Sequence, residues 1–141
     1  MKAIDTGLYT ALNADLGTAL GTVATSLYAL GATGVYRAVA PQTATAPFVI
    51  FQEQAGTSEW TFNNRSHKTT VYLVKAVGTG HSASNVAAMS DRFDVLLNDQ
   101  NLTLSGWTCQ RIRRESDIEY TEEAEGVLYQ HVGGLYRIDI A

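Results

Sequence analysis

The three histidines and the single cysteine are the side chains with the clearest potential for metal or nucleophilic chemistry. His67, His81 and His131 have no HExxH or CxxC companions, the spacings that bring zinc ligands together. Because Cys109 is the only cysteine, an internal disulfide and a four-cysteine zinc site within one subunit are excluded. Its apolar neighbours predict a small core residue rather than a nucleophile. We therefore expect no metal site and no cofactor.

Clustered carboxylates are the second group that could do chemistry. Glu119, Glu122 and Glu123 are close enough in sequence to face one cleft, as in hydrolases that use paired carboxylates. A small hydrolase using Glu122 or Glu123 with His131 is thus the enzymatic alternative. The chain has no GxSxG elbow, and its glycines form neither a phosphate-binding loop nor a dinucleotide-binding loop. The sequence favours a protein that is not an enzyme and has no catalytic residues.

Charge is distributed unevenly along the chain. The net charge of −4, from ten basic and fourteen acidic residues, argues against a protein that coats nucleic acid. Six of the fourteen acids lie between Glu115 and Glu125, directly after Arg111, Arg113 and Arg114. A segment with basic and acidic halves can pair with a neighbouring copy. A solvated hairpin with mixed charges is the equally open alternative.

Two large rings stand in an otherwise polar stretch, residues 57–66, for which we predict a connection between strands. Trp60 and Phe62 expose apolar area there, with Arg65 beside them, and aromatic residues with arginine are enriched where partners dock. The rings could equally fold back onto the subunit's own sheet. A monomeric module that grips a peptide or a sugar is a further alternative.

A small α+β fold is predicted to position these residues. Helical spacing of apolar residues predicts an amphipathic helix from the N-terminus to near Gly17 and another over residues 84–97, with a weaker helical pattern over 18–30. Period-two or β-branched runs predict strands at 35–39, 48–54, 69–77, 107–120 and 127–140. Gly133 and Gly134 predict a register shift in the last strand, and the parity of Trp107 and Cys109 predicts a bulge in the strand before it. We expect a small antiparallel or mixed sheet of four to five strands, with two to three helices packed on one face.

The chain length predicts one domain spanning residues 1–141. Its 141 residues, 45% of them hydrophobic, suffice for one core. Residues 1–34 form a helical N-terminal region in this prediction, and residues 35–141 hold the sheet with helix 84–97. No stretch reaches the roughly 20 apolar residues of a membrane span, and the N-terminus lacks a secretory signal. We expect no membrane association, and we expect the chain to be made and folded in a cytoplasm.

The order of elements and scattered residue types resemble the tail-completion, or tail-terminator, proteins of long-tailed bacteriophages, a family that includes relatives of the lambda minor tail protein U. The resemblance covers about Val35 to Ala141. It is carried by the Pro47 to Phe51 strand start, the Trp60 stretch leading into the 69–74 strand, and the Val86 to Leu97 helix. Further resembling segments are Leu102 to Leu104 with Gly106-Trp107, the arginine-bearing strand at 111–114, the segment Gly126 to His131, and Tyr136 to Ile138.

The resemblance implies a structural role within a virion. Members form a ring, commonly a hexamer, that sits on the head-proximal end of the tail tube, stops tube polymerisation and presents a docking face to the neck proteins of the head. It implies a homo-oligomer whose partners are the tail tube protein and head-tail connector proteins, with genome DNA passing through the lumen without sequence-specific binding. A head-tail connector or stopper, or a tail-tube-like ring subunit, is the alternative. The candidate interface residues are Trp60, Phe62, Arg65, Arg111, Arg113, Arg114, Glu119, Glu122, Glu123 and Glu125.

Overall fold

A computed structural model describes residues 1–61, 64–80 and 83–141. These residues form two α-helices, one short 3-10 helix and five strands. The elements are α1 (Lys2–Ala14), the 3-10 helix (Thr18–Thr22), β1 (Val35–Arg37), β2 (Phe48–Thr61), β3 (Asn64–Thr79), α2 (Ala83–Leu97), β4 (Cys109–Ala124) and β5 (Val127–Ile140). In the described part of the chain, no helix is long and apolar enough to cross a membrane.

The five strands form one mixed sheet in the order β1-β2-β3-β5-β4. Two long antiparallel hairpins, β2–β3 and β4–β5, lie side by side and pair through β3 and β5. The three-residue strand β1 adds a parallel edge beside β2. The α+β class, the mixed sheet and its strand number were predicted, and the structure confirms them.

Both helices pack on one face of the sheet, as the residue spacing predicts. Alternate residues of β3 and β5, among them Tyr72, Val74, Tyr136 and Ile138, are buried on that face. The apolar stripes of the helices meet them with Ile4, Leu8 and Leu12 from α1 and Val86, Met89, Phe93 and Leu97 from α2. Side chains of the opposite parity, such as those of Val71, Leu73 and Leu135, stay partly exposed. One face of the sheet therefore carries the core.

The predicted connection over residues 57–66 is wrong, because strand pairing continues through it. β2 and β3 stay paired out to Thr61 opposite Asn64. β5 reaches only as far as Ile140 opposite Lys68, so the last residues of the hairpin form a two-stranded arm without a third strand. Both faces of such an arm meet water, so its residues are polar on both sides. The sequence therefore lacks the alternation of apolar and polar residues that predicts a strand. We call residues 58–61 and 64–67 the β2–β3 arm.

The second predicted helix, over residues 18–30, is wrong beyond its first turn. Only the 3-10 helix forms, and turns follow it to residue 31. Gly21 and the β-branched residues after it disfavour a longer helix. The segment is held instead by Asp15, which accepts a hydrogen bond from the backbone N–H of Leu27 at 2.8 Å and pairs with Arg92 of α2 at 2.8 Å.

The register shift predicted at Gly133 and Gly134 is also wrong. Both glycines pair in unbroken register with Lys75 and Val74 of β3. A Cβ at Gly133 would lie 2.1 Å from the carbonyl oxygen of Val74, so the glycines permit a close approach of strands. In the ladder between β4 and β5 the register shifts lie elsewhere, between Cys109 and Arg111 and again between Arg114 and Ser116. The first of these confirms the bulge predicted near Cys109.

Candidate interaction surfaces

The residues with potential for metal or nucleophilic chemistry are dispersed. Cys109 is buried in the core, as predicted. His67 is exposed on the β2–β3 arm, His131 is buried in β5, and His81 lies outside the described residues. Over residues 1–61, 64–80 and 83–141, no three His, Cys, Asp or Glu side chains lie close enough together to hold a metal ion.

His131 belongs to a cluster that joins β3, β5 and the edge strand β4 on the face opposite the helices. Its ring stacks on Tyr120 with centroids 4.3 Å apart, and Lys75 donates a hydrogen bond to the Tyr120 hydroxyl at 2.8 Å. Glu122 lies 3.5 Å from His131 Nε2, so the structure brings together the pair named in the enzymatic alternative. Burial and the neighbouring Lys75 lower the pKa of His131, while Glu122 opposes that shift. The imidazole is therefore neutral at neutral pH, and its contacts tie strands together.

Arg114 faces the helices and holds α2 against the sheet. Its guanidinium donates to the Ser90 carbonyl at 3.1 Å, to the Gly133 carbonyl at 2.6 Å and to the Asp94 carboxylate at 3.2 Å. Burial alone would lower the pKa of Arg114, but Tyr136 and Asp94 raise it above its ordinary value. The group stays charged, and its hydrogen bonds are made within the subunit.

Three other arginines form a cluster on the opposite face of the β4–β5 hairpin. Arg113 lies directly opposite Arg137 in the strand ladder, and Arg111 lies opposite Asp139. Together with Glu115 they line a shallow groove of about 440 Å³. We call Arg111, Arg113 and Arg137 the arginine cluster. Arg137 was not predicted: alternation with buried Tyr136 and Ile138 places it on this face, but only the strand pairing reveals its neighbours.

The predicted acidic residues lie at the other end of the same hairpin. Glu119, Glu122 and Glu123 are exposed in the last part of β4, and Glu125 begins the turn into β5. Glu125 has a positive φ of 52°, and Gly126 follows it with 78°, as tight hairpin turns require. The apolar side chains of Val127 and Leu128 are also exposed beside them. We call residues 122–128 the acidic turn.

The β2–β3 arm carries the predicted aromatic position. The Trp60 side chain is 61% exposed and lies opposite Arg65 in the ladder. Phe62 and the side chain of Arg65 fall outside the described part of the structure. The exposed indole agrees with a docking role, which stays a prediction.

The free edge of the sheet at β4 is covered by the end of α2, but only beside the arginines of that strand. Asp99 donates its backbone N–H to the carbonyl of Ile112 at 2.9 Å, and the side-chain oxygen of Asn98 accepts from the N–H of Arg114 at 3.0 Å. The end of α2 thus occupies the edge beside residues 112–114. Beyond it, residues 115–124 are exposed apart from Ile118, and most of their charges are acidic.

A groove of about 850 Å³ is lined by α1 and by the segment 101–107, which touch at its closed side. Leu102, Leu104 and Trp107 line it on one side, and small residues of α1 line the other. Gly7 allows the two walls to meet, since a Cβ there would lie 2.9 Å from the Leu104 side chain. The groove was not predicted, because the sequence does not indicate that these segments are neighbours.

No protein-family model and no curated protein sequence matches this chain. Among solved structures, the fold is similar to a chain in the virion of a native gene transfer agent particle, with a TM-score of 0.69. The match covers 99% of this chain and 98% of that chain, at 14% sequence identity. At that identity the comparison shows a shared fold over the full length.

Proposed function

We propose that this protein is a structural subunit of a phage-like virion that forms a ring at the head-proximal end of the tail tube. In this role it ends tube polymerisation and offers the surface to which the neck proteins of the head bind. The observation that carries the proposal is the end-to-end similarity in fold to a chain of a virion particle. The resemblance of the sequence to tail-terminator proteins supports the same role and a hexameric ring.

The two hairpins suit a subunit that contacts neighbours on more than one side. The β2–β3 arm extends past the end of β5 at one end of the sheet. The acidic turn extends past the end of β3 at the opposite end, because β3 ends at Thr79 opposite Tyr129. Surfaces at opposite ends of one sheet allow each end of the subunit to contact a different neighbour in an assembly.

Net negative charge fits a channel through which DNA moves. Each subunit carries −4, and a ring multiplies this charge. We propose that acidic side chains line the lumen, so that DNA passes without adhering to the wall. A ring reconstruction with a basic lumen would contradict this part of the proposal.

The purified protein should form single annuli by negative-stain microscopy, with a mass corresponding to a small whole number of subunits. Added to the polymerising tail tube protein of the same particle, it should sit at one end of each tube and stop growth. A tail-tube-like subunit would instead polymerise into long tubes by itself. A connector or stopper would form rings that bind head components and leave tube growth unchanged.

The proposal assigns no catalytic role to the pair Glu122 and His131. If the protein were a hydrolase, alanine at Glu122 would abolish turnover of a substrate and leave assembly intact. We expect no turnover of a substrate by the parent protein. A protein that stays monomeric at high concentration and binds a peptide or sugar through Trp60 would contradict the ring.

A further inference from the structure

We propose that the arginine cluster of one subunit binds the acidic turn of a second copy of this chain, and that this contact joins neighbours in the ring. The inference rests on the proposed ring and specifies its contact. It is carried by the placement of unmatched basic and acidic groups at opposite ends of one hairpin.

The arginine cluster shares its neighbouring carboxylates unevenly. Arg113 and Arg137 face each other across the strands, and like charges in that position repel. Among the residues that the structure describes, Arg137 contacts both Glu115 at 3.2 Å and Asp139 at 3.8 Å, and Arg113 contacts Asp99 at 3.6 Å. Arg111 makes no ion pair with any residue that the structure describes. Further carboxylates would relieve this repulsion, and guanidinium groups bind carboxylates through two parallel hydrogen bonds.

The acidic turn carries exposed carboxylates to which Arg111 and Arg113 of a second copy can bind. Glu123 and Glu125 are exposed, and neither makes an ion pair within the described ranges 1–61, 64–80 and 83–141. Exposed Val127 and Leu128 stand beside them, with 41% and 54% of their surfaces accessible. The turn therefore combines an acidic group with apolar area that docking would cover.

The turn cannot reach the cluster of its own subunit. Glu123 lies ten residues beyond Arg113 on the same strand. At about 3.3 Å per residue this separation is roughly 33 Å, much longer than two side chains can span. The partner that brings the two together must be another molecule.

The contact uses the face of the hairpin, since the strand edge is unsuitable. Asn98 and Asp99 already occupy the edge beside residues 112–114. Antiparallel pairing of two β4 strands through the remaining edge would bring two acidic segments side by side, because residues 115–124 contain five acids and no basic residue, and like charges across strands cost free energy. A turn inserted onto a neighbour's sheet face is a heterologous contact. Repetition of such a contact with a constant rotation closes a ring.

Charge reversal tests the contact, because a correct pair can be restored by reversing both sides. The cluster variant carries Arg111→Glu and Arg113→Glu, and the turn variant carries Glu123→Lys and Glu125→Lys. Self-association is measured by mass photometry and sedimentation velocity at about 0.1 M salt. Each variant alone should raise the apparent dissociation constant of the ring at least about tenfold. A chain carrying all four changes should recover the ring, and an equimolar mixture of the two variants should form rings that contain both.

Matched controls separate this contact from a general effect of charge. Lys2→Glu adds negative charge on exposed α1, and Asp91→Lys adds positive charge on exposed α2. Both controls should form rings as the parent does. Circular dichroism of every variant should match the parent, since all four changed side chains are exposed.

The outcomes distinguish this inference from the proposed function. Rings that persist in both reversed variants would overturn the contact and leave the ring intact. A parent protein that stays monomeric would overturn the ring and the contact together. Rings that depend on the four charges but do not cap tubes would overturn the capping role alone. If the cluster variant keeps its ring and loses retention on double-stranded DNA, the cluster binds phosphate and the proposed contact is wrong.

Discussion

The helix-covered face of the sheet and the projecting ends of its hairpins use charged residues in opposite ways. On the covered face, Arg92 pairs with Asp15, and Arg114 pairs with Asp94 across the boundary between helix and sheet. At the projecting end of β4, Glu123 and Glu125 are exposed and lie far from the arginines of the same strand. Charge near α2 therefore stabilises the subunit, whereas charge on the hairpin ends is available to other molecules.

The largest expected effect comes from Arg114, which lies next in sequence to a residue of the proposed interface. Arg114→Met removes a charged donor from the Ser90 carbonyl, from the Gly133 carbonyl and from Asp94, which keeps its hydrogen bond from the Tyr136 hydroxyl. We expect the free energy of unfolding to fall by about 4 kcal/mol, because several hydrogen bonds of one largely buried guanidinium group are lost together. Urea denaturation measures this loss.

Arg111→Met is the matched control, since its side chain is exposed and makes no described ion pair. Its free energy of unfolding should stay within about 0.5 kcal/mol of the parent. Equal losses in the free energy of unfolding of Arg114→Met and Arg111→Met would contradict the difference between the covered face and the hairpin ends.

Substitution of Asp15 tests the ion pair with Arg92 on the covered face by removing its acidic partner. Asp15→Ala should lower the free energy of unfolding by about 3 kcal/mol, since Arg92 and the N–H of Leu27 lose their acceptor. Asp91→Ala, on the exposed side of α2, is the control and should cost less than about 0.5 kcal/mol.

The Asp15 pair also predicts a dependence on pH. Burial tends to raise the pKa of Asp15, but hydrogen bonds from Arg92 and Leu27 outweigh it and hold that pKa below the ordinary value of 3.8. The contribution of the pair is thus complete above pH 3.8 and is lost as pH falls through the lower, folded-state pKa. Asp15→Asn should flatten the acid limb of a stability-against-pH curve. An unchanged slope would show that Asp15 does not titrate as described.

Gly133 tests the close approach of β3 and β5. Gly133→Ala places a Cβ 2.1 Å from the Val74 carbonyl oxygen, and backbone must move to admit it. We expect a loss of about 2 kcal/mol in thermal or urea unfolding. Gly17→Ala is the control, because its nearest contact would be an ordinary 3.5 Å from the carbonyl of Ala14. A neutral Gly133→Ala would mean that the strands can separate without cost.

Trp60 should have the smallest effect on folding and a distinct effect on assembly. Because the indole is 61% exposed on the β2–β3 arm, Trp60→Ala should change the free energy of unfolding by less than about 1 kcal/mol. Ring closure or tube capping should weaken, as seen by size-exclusion chromatography and microscopy. Tyr9→Ala, which removes another exposed ring from α1, should leave assembly unchanged. A Trp60→Ala variant that unfolds would assign the indole to the fold.

Much of the fold was predictable, because local spacing reports which side of an element is buried. The bounds of β5 agree with the predicted 127–140, and α2 spans Ala83–Leu97 against a predicted 84–97. The outer parts of the β2–β3 hairpin were missed for a physical reason. A two-stranded arm has no buried face, so its strands carry no alternation of apolar and polar residues.

The candidate surfaces were only partly predictable. The exposed charged residues of β4 lie within one segment of sequence. Arg111, Arg113 and the acidic residues could therefore be predicted as candidates for an interface. Arg114 belongs to the same run, yet its side chain turns inward, because it alternates with Arg113, shares the side of buried Ile112 and lies opposite buried Tyr136. Arg137 joins the cluster from another strand and has no local signal.

The amino-acid sequence by itself determined the class of fold, the buried side of each regular element and the polarity of charge along β4, because these depend on spacing within one segment. The tertiary structure decided which arginines face α2, which stand together beyond it, and how far the acidic turn lies from them. Those relations depend on sheet order, register and bulges, which are set when distant strands pair and their side chains pack.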